Sequence, residues 1–424
     1  MFHSELTTDH KTATFTGEVV DSPYRAYYPT NLYDKAEGKY VLPATQKYAG
    51  NNLSNVNPMY AESTITDLQF YNICAMMKLV VRGVGFVESI TVSADQPLSG
   101  KFTVKTEDGK YYAEIEPTSK DNAATVTLKC GSLVTINDTV PTVFYIALPQ
   151  GDYTNLKFTF DSGYKEWVSN PVSRILEAGK IYDRDLLNVS LEPPVGALPG
   201  VFSVSGDKKV LFSKGNLQYV KAGAKWQFAS TQYELVEKQG QDVGNNYANA
   251  DVQGLFGWGD AQPLKTSTQA GSYNWPSSGD PWGSKIDDDG TWFTLGKDEW
   301  TYLICERNGA STSSYLGKTC QFVTTADTIN GLLIYPDDYD GIKPAKKEKI
   351  SEIPAGCVFL PMCGRRYGTT MNDVNSNGYY YTCDLGGGTA YYCNPNFTLG
   401  GVTPAGNGRG RYNGMGVRLA RNVN

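Results

Sequence analysis

Histidine is almost missing from this 424-residue chain: only His3 and His10 occur. From residue 11 onward no imidazole exists to act as a base, orient a nucleophile or ligate a metal. Ser-His-Asp, Cys-His and His-ligated metal chemistry are therefore excluded for most of the chain. Carboxylate, Tyr, Lys and Cys chemistry stay open. Charge is also sparse, at 19% of residues, against roughly 25% in ordinary soluble domains. A net charge of −6 lacks the basic face that phosphate binding needs, so no nucleic-acid partner is expected. No apolar run approaches the roughly 18 residues of a membrane-spanning helix. The eight cysteines form no CxxC pair. With histidine confined to the start, a structural zinc site is not expected. The opening "MFHSELTTDHKTATF" lacks the basic start and apolar run of a signal peptide. Strand-and-turn patterns rich in Tyr, Thr, Asn and Gly instead fit an exported β protein whose leader, with any lipid anchor, has been removed. No internal repeat is visible.

What is present points to β structure. The chain holds 29 Tyr, 44 Gly and 21 Pro, and its length allows two or three domains. "NVSLEPPVGALPG" (Asn188–Gly200) reads as a Pro/Gly linker between units 1–187 and 201–424. In the first unit, "TATFTG", "DLQFYNICAMMKLVVRG", "SITVSA", "GKFTV", "ATVTLKC", "TVFYIALP" and "NLKFTFD" are short β-branched or aromatic runs separated by turns. That pattern predicts a β-sandwich or barrel without helices. The second unit is mixed, an α+β pattern. "KKVLFSKGNLQYV" and "KWQFAS" read as a strand pair. "GKDEWTYLICERNG" reads as a helix, with Trp300, Leu303, Ile304 and Arg307 on one face. Gly296 is its N-cap, Glu299 reaches back to the cap, and Asn308-Gly309 stops it. "GMGVRLARN" reads as a terminal strand.

"ATFTGEV", "AYYPTN", "LQFYNICAMMKLVVRG", "ESITVSADQPLSGKFTV" and "VFYIALPQGDYTNLKFTF" carry a resemblance over residues 10–185. This part resembles the fimbrillin family of Bacteroidetes surface proteins. The resemblance implies an antiparallel β-sandwich, exported as a lipoprotein and joined to other fimbrial subunits by strand exchange. Subunits with an unrelated C-terminal domain resemble tip or accessory adhesins. "LFSKGNLQY", "FGWGD", "FTLGKDEWTYL", "GLLIYPDD", "AGCVFLPMCGRRYG", "GYYYTCD" and "GMGVRLAR" carry a second resemblance, from Val201 to Asn422. It is to the bacterial C-type-lectin-like fold shared by formylglycine-generating-type domains, retroelement-diversified binding proteins and paralogous surface domains. The common "YWSSS" is "YYYTC" here, so its tryptophan position falls on Tyr380 or Tyr381.

In that fold the segment before the terminal strand carries the ligand surface. The resemblance assigns Tyr379, Tyr380, Tyr381, Tyr391, Tyr392, Asn394, Asn396, Phe397, Arg409, Arg411, Tyr412 and Asn413 to it. Residue chemistry agrees, since Tyr offers a large, rigid, amphipathic contact and Asn and Arg add adaptable polar ones. The alternative is a strand pair packed on the core. Period-2 alternation would put Tyr380 inward and Tyr379 and Tyr381 outward. The expected ligand is a host or bacterial surface glycan or protein.

Cys383 and Cys393 flank "DLGGGTAYY". A hairpin centred on Gly388 would oppose them for a disulfide, and two buried thiols are the alternative. Cys357 and Cys363 flank an extended "VFLPM" and lie too far apart to bridge. Asp287, Asp289, Asp337 and Asp338 offer weak calcium positions, but adjacent Asp side chains splay and no D-x-D-x-D spacing exists. Solvated acidic turns are the plainer reading, and no other cofactor is expected. "NPN" at Asn394–Asn396 loosely resembles the calcium-sugar motif of animal lectins, without its carboxylate. "KPAKKEK" (Lys343–Lys349) reads as a solvated loop. No catalytic residue is assigned. A cell-surface adhesin is the first reading. A pilus subunit without a ligand and a formylglycine-generating-type enzyme using Cys383 and Cys393 are the alternatives.

Overall fold

"AMMKLVVRGVGFVESITVS" forms one long strand, β1 (Ala75–Ser93), and the N-terminal half is organised around it. In the computed structural model, residues 3–6, 13–16, 22–29, 32–34, 39–50, 57–116, 122–258, 265–273, 282–287, 290–337, 339–384 and 391–423 are described. The side chains of 3–6, 13–16, 33, 34, 39, 270, 391–396 and 405–409 are not. β2 (Thr125–Ile136), β3 (Thr142–Leu148) and β4 (Gly151–Asp161) pair antiparallel with β1. β5 (Ile181–Leu191) pairs with it in parallel. Alternate residues of these strands, among them Ile90, Val92, Leu128, Phe144, Phe158 and Phe160, are fully buried in one core. A smaller cluster gathers Tyr60, Met76, Phe102 and Ala113. No α-helix occurs among the described residues before Lys297.

Two glycines let β5 approach β1. Gly83 and Gly85 have φ of 137° and 108°, and a Cβ there would sit 1.8 Å from the Val189 oxygen and 2.1 Å from the Leu191 oxygen. Only glycine tolerates both the backbone angle and the contact. The pairing also corrects the expected linker start. β5 runs through Asn188 to Leu191, because Val189 and Leu191 alternate into the core and are buried. The extended pairing stops short of Pro193.

In the C-terminal half, α1 (Lys297–Cys305) forms where its apolar face and caps placed it. Trp300, Leu303, Ile304 and Arg307 are all buried. The Gly296 amide donates to Glu299 Oε2 at 2.8 Å, and Asn308 and Gly309 take left-handed φ of 55° and 66°. β6 (Cys320–Thr325), β7 (Asn330–Ile334), β8 (Glu348–Ile350) and β9 (Val358–Pro361) make a sheet in the order β8-β6-β7-β9. β10 (Asn377–Tyr379), β11 (Tyr391–Thr398) and β12 (Gly401–Gly410) make another. The last strand, Ala420–Asn422, pairs with Lys209–Phe212, so the half closes on its own beginning. Among the described residues, every strand ladder stays on one side of residues 192–201. The protein is mainly β, built of several antiparallel sheets.

Arg418 sits in the middle of this half with no exposed surface. Its Nε donates to Asn216 Oδ1 at 3.0 Å and its Nη1 to the Ser213 carbonyl at 3.0 Å. Its Nη2 donates to the Phe359 carbonyl at 2.9 Å and the Gln232 carbonyl at 3.3 Å. One side chain thereby ties the terminal segment to three others. Arg418→Met strands three buried acceptors and one part-buried one, each buried one costing about 1–3 kcal/mol when unpaired. The expected loss is about 3–5 kcal/mol, read as a lower denaturant midpoint. Arg418→Lys recovers only part of it, because one ammonium cannot reach all four oxygens.

Candidate functional site

The segment Tyr379–Tyr381 is the centre of the sequence-based site, and the structure places it inside. Tyr379 is 4% exposed, and Tyr380 and Tyr381 are fully buried. The assignment of these three to a ligand surface is thus corrected. The alternation argument fails because β10 ends at Tyr379. From there the chain pairs with the terminal segment: the Gly416 amide donates to the Tyr379 carbonyl and the Tyr381 amide to the Gly416 carbonyl, both at 3.0 Å. Both faces are then covered. Tyr380 stacks on Phe397 at 5.9 Å, while Tyr381 packs against Trp258 and Trp282, each at 5.4 Å. A strand covered on both faces has no outward side chains.

Each buried hydroxyl has a partner, as burial demands. Tyr380 donates to the Pro361 carbonyl at 2.9 Å and accepts from Asn216 Nδ2 at 3.1 Å. Tyr381 donates to the Asn413 carbonyl at 3.0 Å. Tyr379 donates to Asp373 Oδ2 at 3.3 Å and accepts from Asn377 Nδ2 at 2.8 Å. Phe397 and Asn413, also assigned to the ligand surface, are buried too. Phe397 lies over Gly378, where a Cβ would meet its ring at 2.2 Å. The Asn413 amide group holds its own turn by donating to the Gly410 carbonyl at 3.0 Å. Tyr391, Tyr392, Asn394, Asn396 and Arg409 have backbone positions on β11 and β12, with Tyr392 opposite Arg409. Their side chains lie outside the described residues.

Among the described side chains, two assigned residues keep partial exposure, Arg411 and Tyr412, and Tyr412 meets a residue not assigned to the surface. Tyr367 is 51% exposed and packs edge-on against the half-buried Tyr412, ring centroids 5.7 Å apart. Arg411 Nη1 donates to the Tyr273 carbonyl at 3.2 Å. Tyr273 in turn donates to the Lys265 carbonyl at 2.9 Å, fixing loop 265–273 beside them. Tyr367 sits at the tip of a hairpin, Arg365–Tyr367 against Thr370–Asn372. The buried Arg366 anchors that hairpin by donating through Nη1 to the Gly368 carbonyl at 2.8 Å, with its cation 5.3 Å over Tyr247. The available signal was an aromatic at a turn, in "GRRYGTT". The result is a semi-rigid aromatic and cationic end formed by three loops.

The remaining candidates have other roles. Asp337 is occupied: it accepts from Arg307 Nη1 at 3.0 Å and from Ser203 Oγ at 2.6 Å. Its place as a calcium ligand is corrected, since a buried guanidinium already neutralises it. Asp287 follows the short turn Gly283–Lys285, and Asp289 and Asp338 lie outside the described residues. Among the described residues no group of three His, Cys, Asp or Glu is placed to hold a metal. The Cys383 amide donates to the Leu295 carbonyl at 3.2 Å, beside the start of α1. Its pairing with Cys393 lies outside the described side chains. Cys357 and Cys363 are buried and unbridged. Burial pushes the thiols of Cys320 and Cys357 up to about 12 and that of Cys363 up to about 11. All three stay protonated at neutral pH and serve as packing groups. Residues 345–349 of the lysine run are exposed, as expected.

No family model matches the chain, and no curated protein matches its sequence. A candidate cell adhesion protein from Bacteroides ovatus is similar in structure over 40% of this chain and 68% of its own, at 14% identity and TM-score 0.24. Another, from Bacteroides fragilis, covers 44% of this chain and 63% of its own, at 16% identity and TM-score 0.22. A fimbrial protein from Bacteroides ovatus covers 97% and 88%, at 10% identity and TM-score 0.23.

Two measurements check the buried frame. Tyr381→Ala is expected to lower stability by about 3–5 kcal/mol, as for other large buried rings. Tyr381→Phe costs only about 1 kcal/mol, the hydroxyl's bond. The second concerns Glu237, buried at 6% exposure, whose carboxyl burial pushes up from 4.5 to about 7 although the Gly254 amide donates to it at 2.6 Å. A carboxyl raised on folding favours the folded state below its unfolded value and loses that contribution as pH rises. Stability should therefore fall between pH 4.5 and 7, on the order of 3 kcal/mol in all. Glu237→Gln should remove that slope in urea melts across this range.

Proposed function

We propose that the chain is an exported cell-surface adhesin, a fimbrial tip or accessory subunit. Its ligand contacts the loop end around Tyr367, Arg411 and Tyr412. The observation that carries this reading is the exposed Tyr367 packed on the half-buried Tyr412, the pair mounted on a buried, hydrogen-bonded frame. Tyrosine and arginine contribute most where interfaces are energetically dense, because they bring large area, a polar handle and few rotamers to freeze. The ligand class is a surface glycan or protein: ring faces suit sugar C–H surfaces and protein side chains alike, and Arg411 supplies donors. The C-type-lectin-like resemblance of 201–424 supports the same end of that half as the ligand end. The β-sandwich half, by its resemblance to fimbrillins, joins neighbouring subunits by strand exchange, and a lipid anchor makes the membrane link.

The test uses the full chain on an array of immobilised glycans and proteins. The Tyr367→Ala/Tyr412→Ala double variant should lose about tenfold or more of its binding, an effect of roughly 1.4 kcal/mol or more. Its melting temperature should stay near that of the parent, since neither ring belongs to the core. Binding that survives the double substitution removes this end as the site. A parent chain that binds nothing on the array favours a purely structural subunit.

A further inference from the structure

The two halves flank an open cleft with a volume of about 500 Å³. Its size falls in the roughly 300–1,000 Å³ range of small-molecule sites, which favour such junctions. Its floor is set by strand register. The short strand Thr45–Lys47 lies parallel to β2, placing Lys47 opposite Lys129. Lys129 is opposite Ser89, and Ser89 is opposite Asp161. These four side chains form one transverse row across four strands. The row lies on the face opposite the core, because their neighbours Leu128, Ile90 and Phe160 are the buried ones. The next row on that face is Thr45, Thr127, Thr91 and Thr159, with Thr91 Oγ1 and Thr127 Oγ1 at 2.9 Å. A strip of hydroxyls thus leads into the cavity. The roof comes from the C-terminal half: Val201, Lys209, Pro336, Tyr339 and Asp340. The Asp340 amide closes one side by donating to the Gly131 carbonyl at 2.7 Å.

We propose that this cavity binds a neutral, polyhydroxylated ligand of the saccharide class. Threonine on a solvated strand face needs no ligand to explain it. Two lysines directly opposed on neighbouring strands do need an answer, because like charges there repel. The cavity supplies a partial one: Asp340 Oδ2 stands 3.9 Å from Lys47 Nζ, and Asp337 Oδ2 stands 3.8 Å from Lys209 Nζ. Both gaps exceed a direct hydrogen bond, so both lysines keep N–H donors for a ligand. The lining sets Lys47, Lys129 and Lys209 against Glu88, Asp161, Asp337 and Asp340. Such a balance selects neither an anion nor a cation. It offers donors and acceptors side by side, as a polyol requires. Tyr339 adds an aromatic wall, held by its ring stacked on Tyr335 at 5.2 Å and its hydroxyl donating to the Ile342 carbonyl at 3.1 Å. A sugar ring presents an apolar face to such a wall.

The test titrates the full chain with maltotetraose, cellotetraose, laminaritetraose and N-acetylchitotetraose, followed by calorimetry and saturation-transfer NMR. At least one probe should bind. Lys129→Met and Asp161→Asn should each weaken that binding about tenfold or more. Asp161→Asn keeps the acceptor that holds the Gly163 amide at 2.6 Å, so the turn survives. Tyr367→Ala/Tyr412→Ala should leave binding unchanged, which separates this site from the loop end. The proposal is overturned if none of the four probes binds. It is also overturned if both floor variants bind as the parent does, or if only the loop-end variant loses binding.

Discussion

The guanidinium of Arg418 is the constraint on which the C-terminal half depends. Among the described residues it has no carboxylate partner, and desolvation lowers its pKa to about 10, yet it remains charged at neutral pH. A buried charge of this kind is tolerated only where every donor finds an oxygen. Asn216 is central to the arrangement. Its oxygen accepts from Arg418 while its nitrogen donates to Tyr380, which in turn donates to Pro361. The network therefore runs from the terminal segment through residue 216 to the edge of the four-stranded sheet. Bonds in such a chain polarise one another, so it acts as a unit.

That network decides which aromatics are available outside. Tyr380 and Tyr381 are spent on fixing the backbone of the segment before the loop end. Through the Asn413 carbonyl, Tyr381 holds the turn that presents Arg411 and Tyr412. Buried rings and exposed rings thus form one load path, with hydroxyls as the joints. Rigid presentation reduces the ordering cost of binding, which is where tyrosine-rich surfaces gain their affinity.

The parts legible in the sequence were those encoded locally. The helix at Lys297–Cys305 was readable because its cap, face and stop all lie within fourteen consecutive residues. The long apolar strand near Ala75 and the strand character of the terminus were readable for the same reason. Tyr379–Tyr381 were misread because alternation presumes that one face meets water, and here Trp258 and Trp282 arrive from far upstream in the chain. Asp337 looked like part of a solvated acidic turn because nothing local announces Arg307. Tyr367 was passed over because a single aromatic at a turn gives no hint of Tyr412 opposite. The row Lys47–Lys129–Ser89–Asp161 exists only once four strands are in register.

The parallel pairing of β5 with β1 bears on how the molecule carries a load. β5 is the strand that leads into residues 192–200 and so into the second half. A pull on that half directed along β5 does not peel it from its neighbour one bond at a time. It loads nine register positions, Ile181 to Leu191 against Met76 to Gly85, in shear and together. The close approach at Gly83 and Gly85 locks the end nearest the pull. A chain tethered at one half and gripped at the other would load this seam in shear.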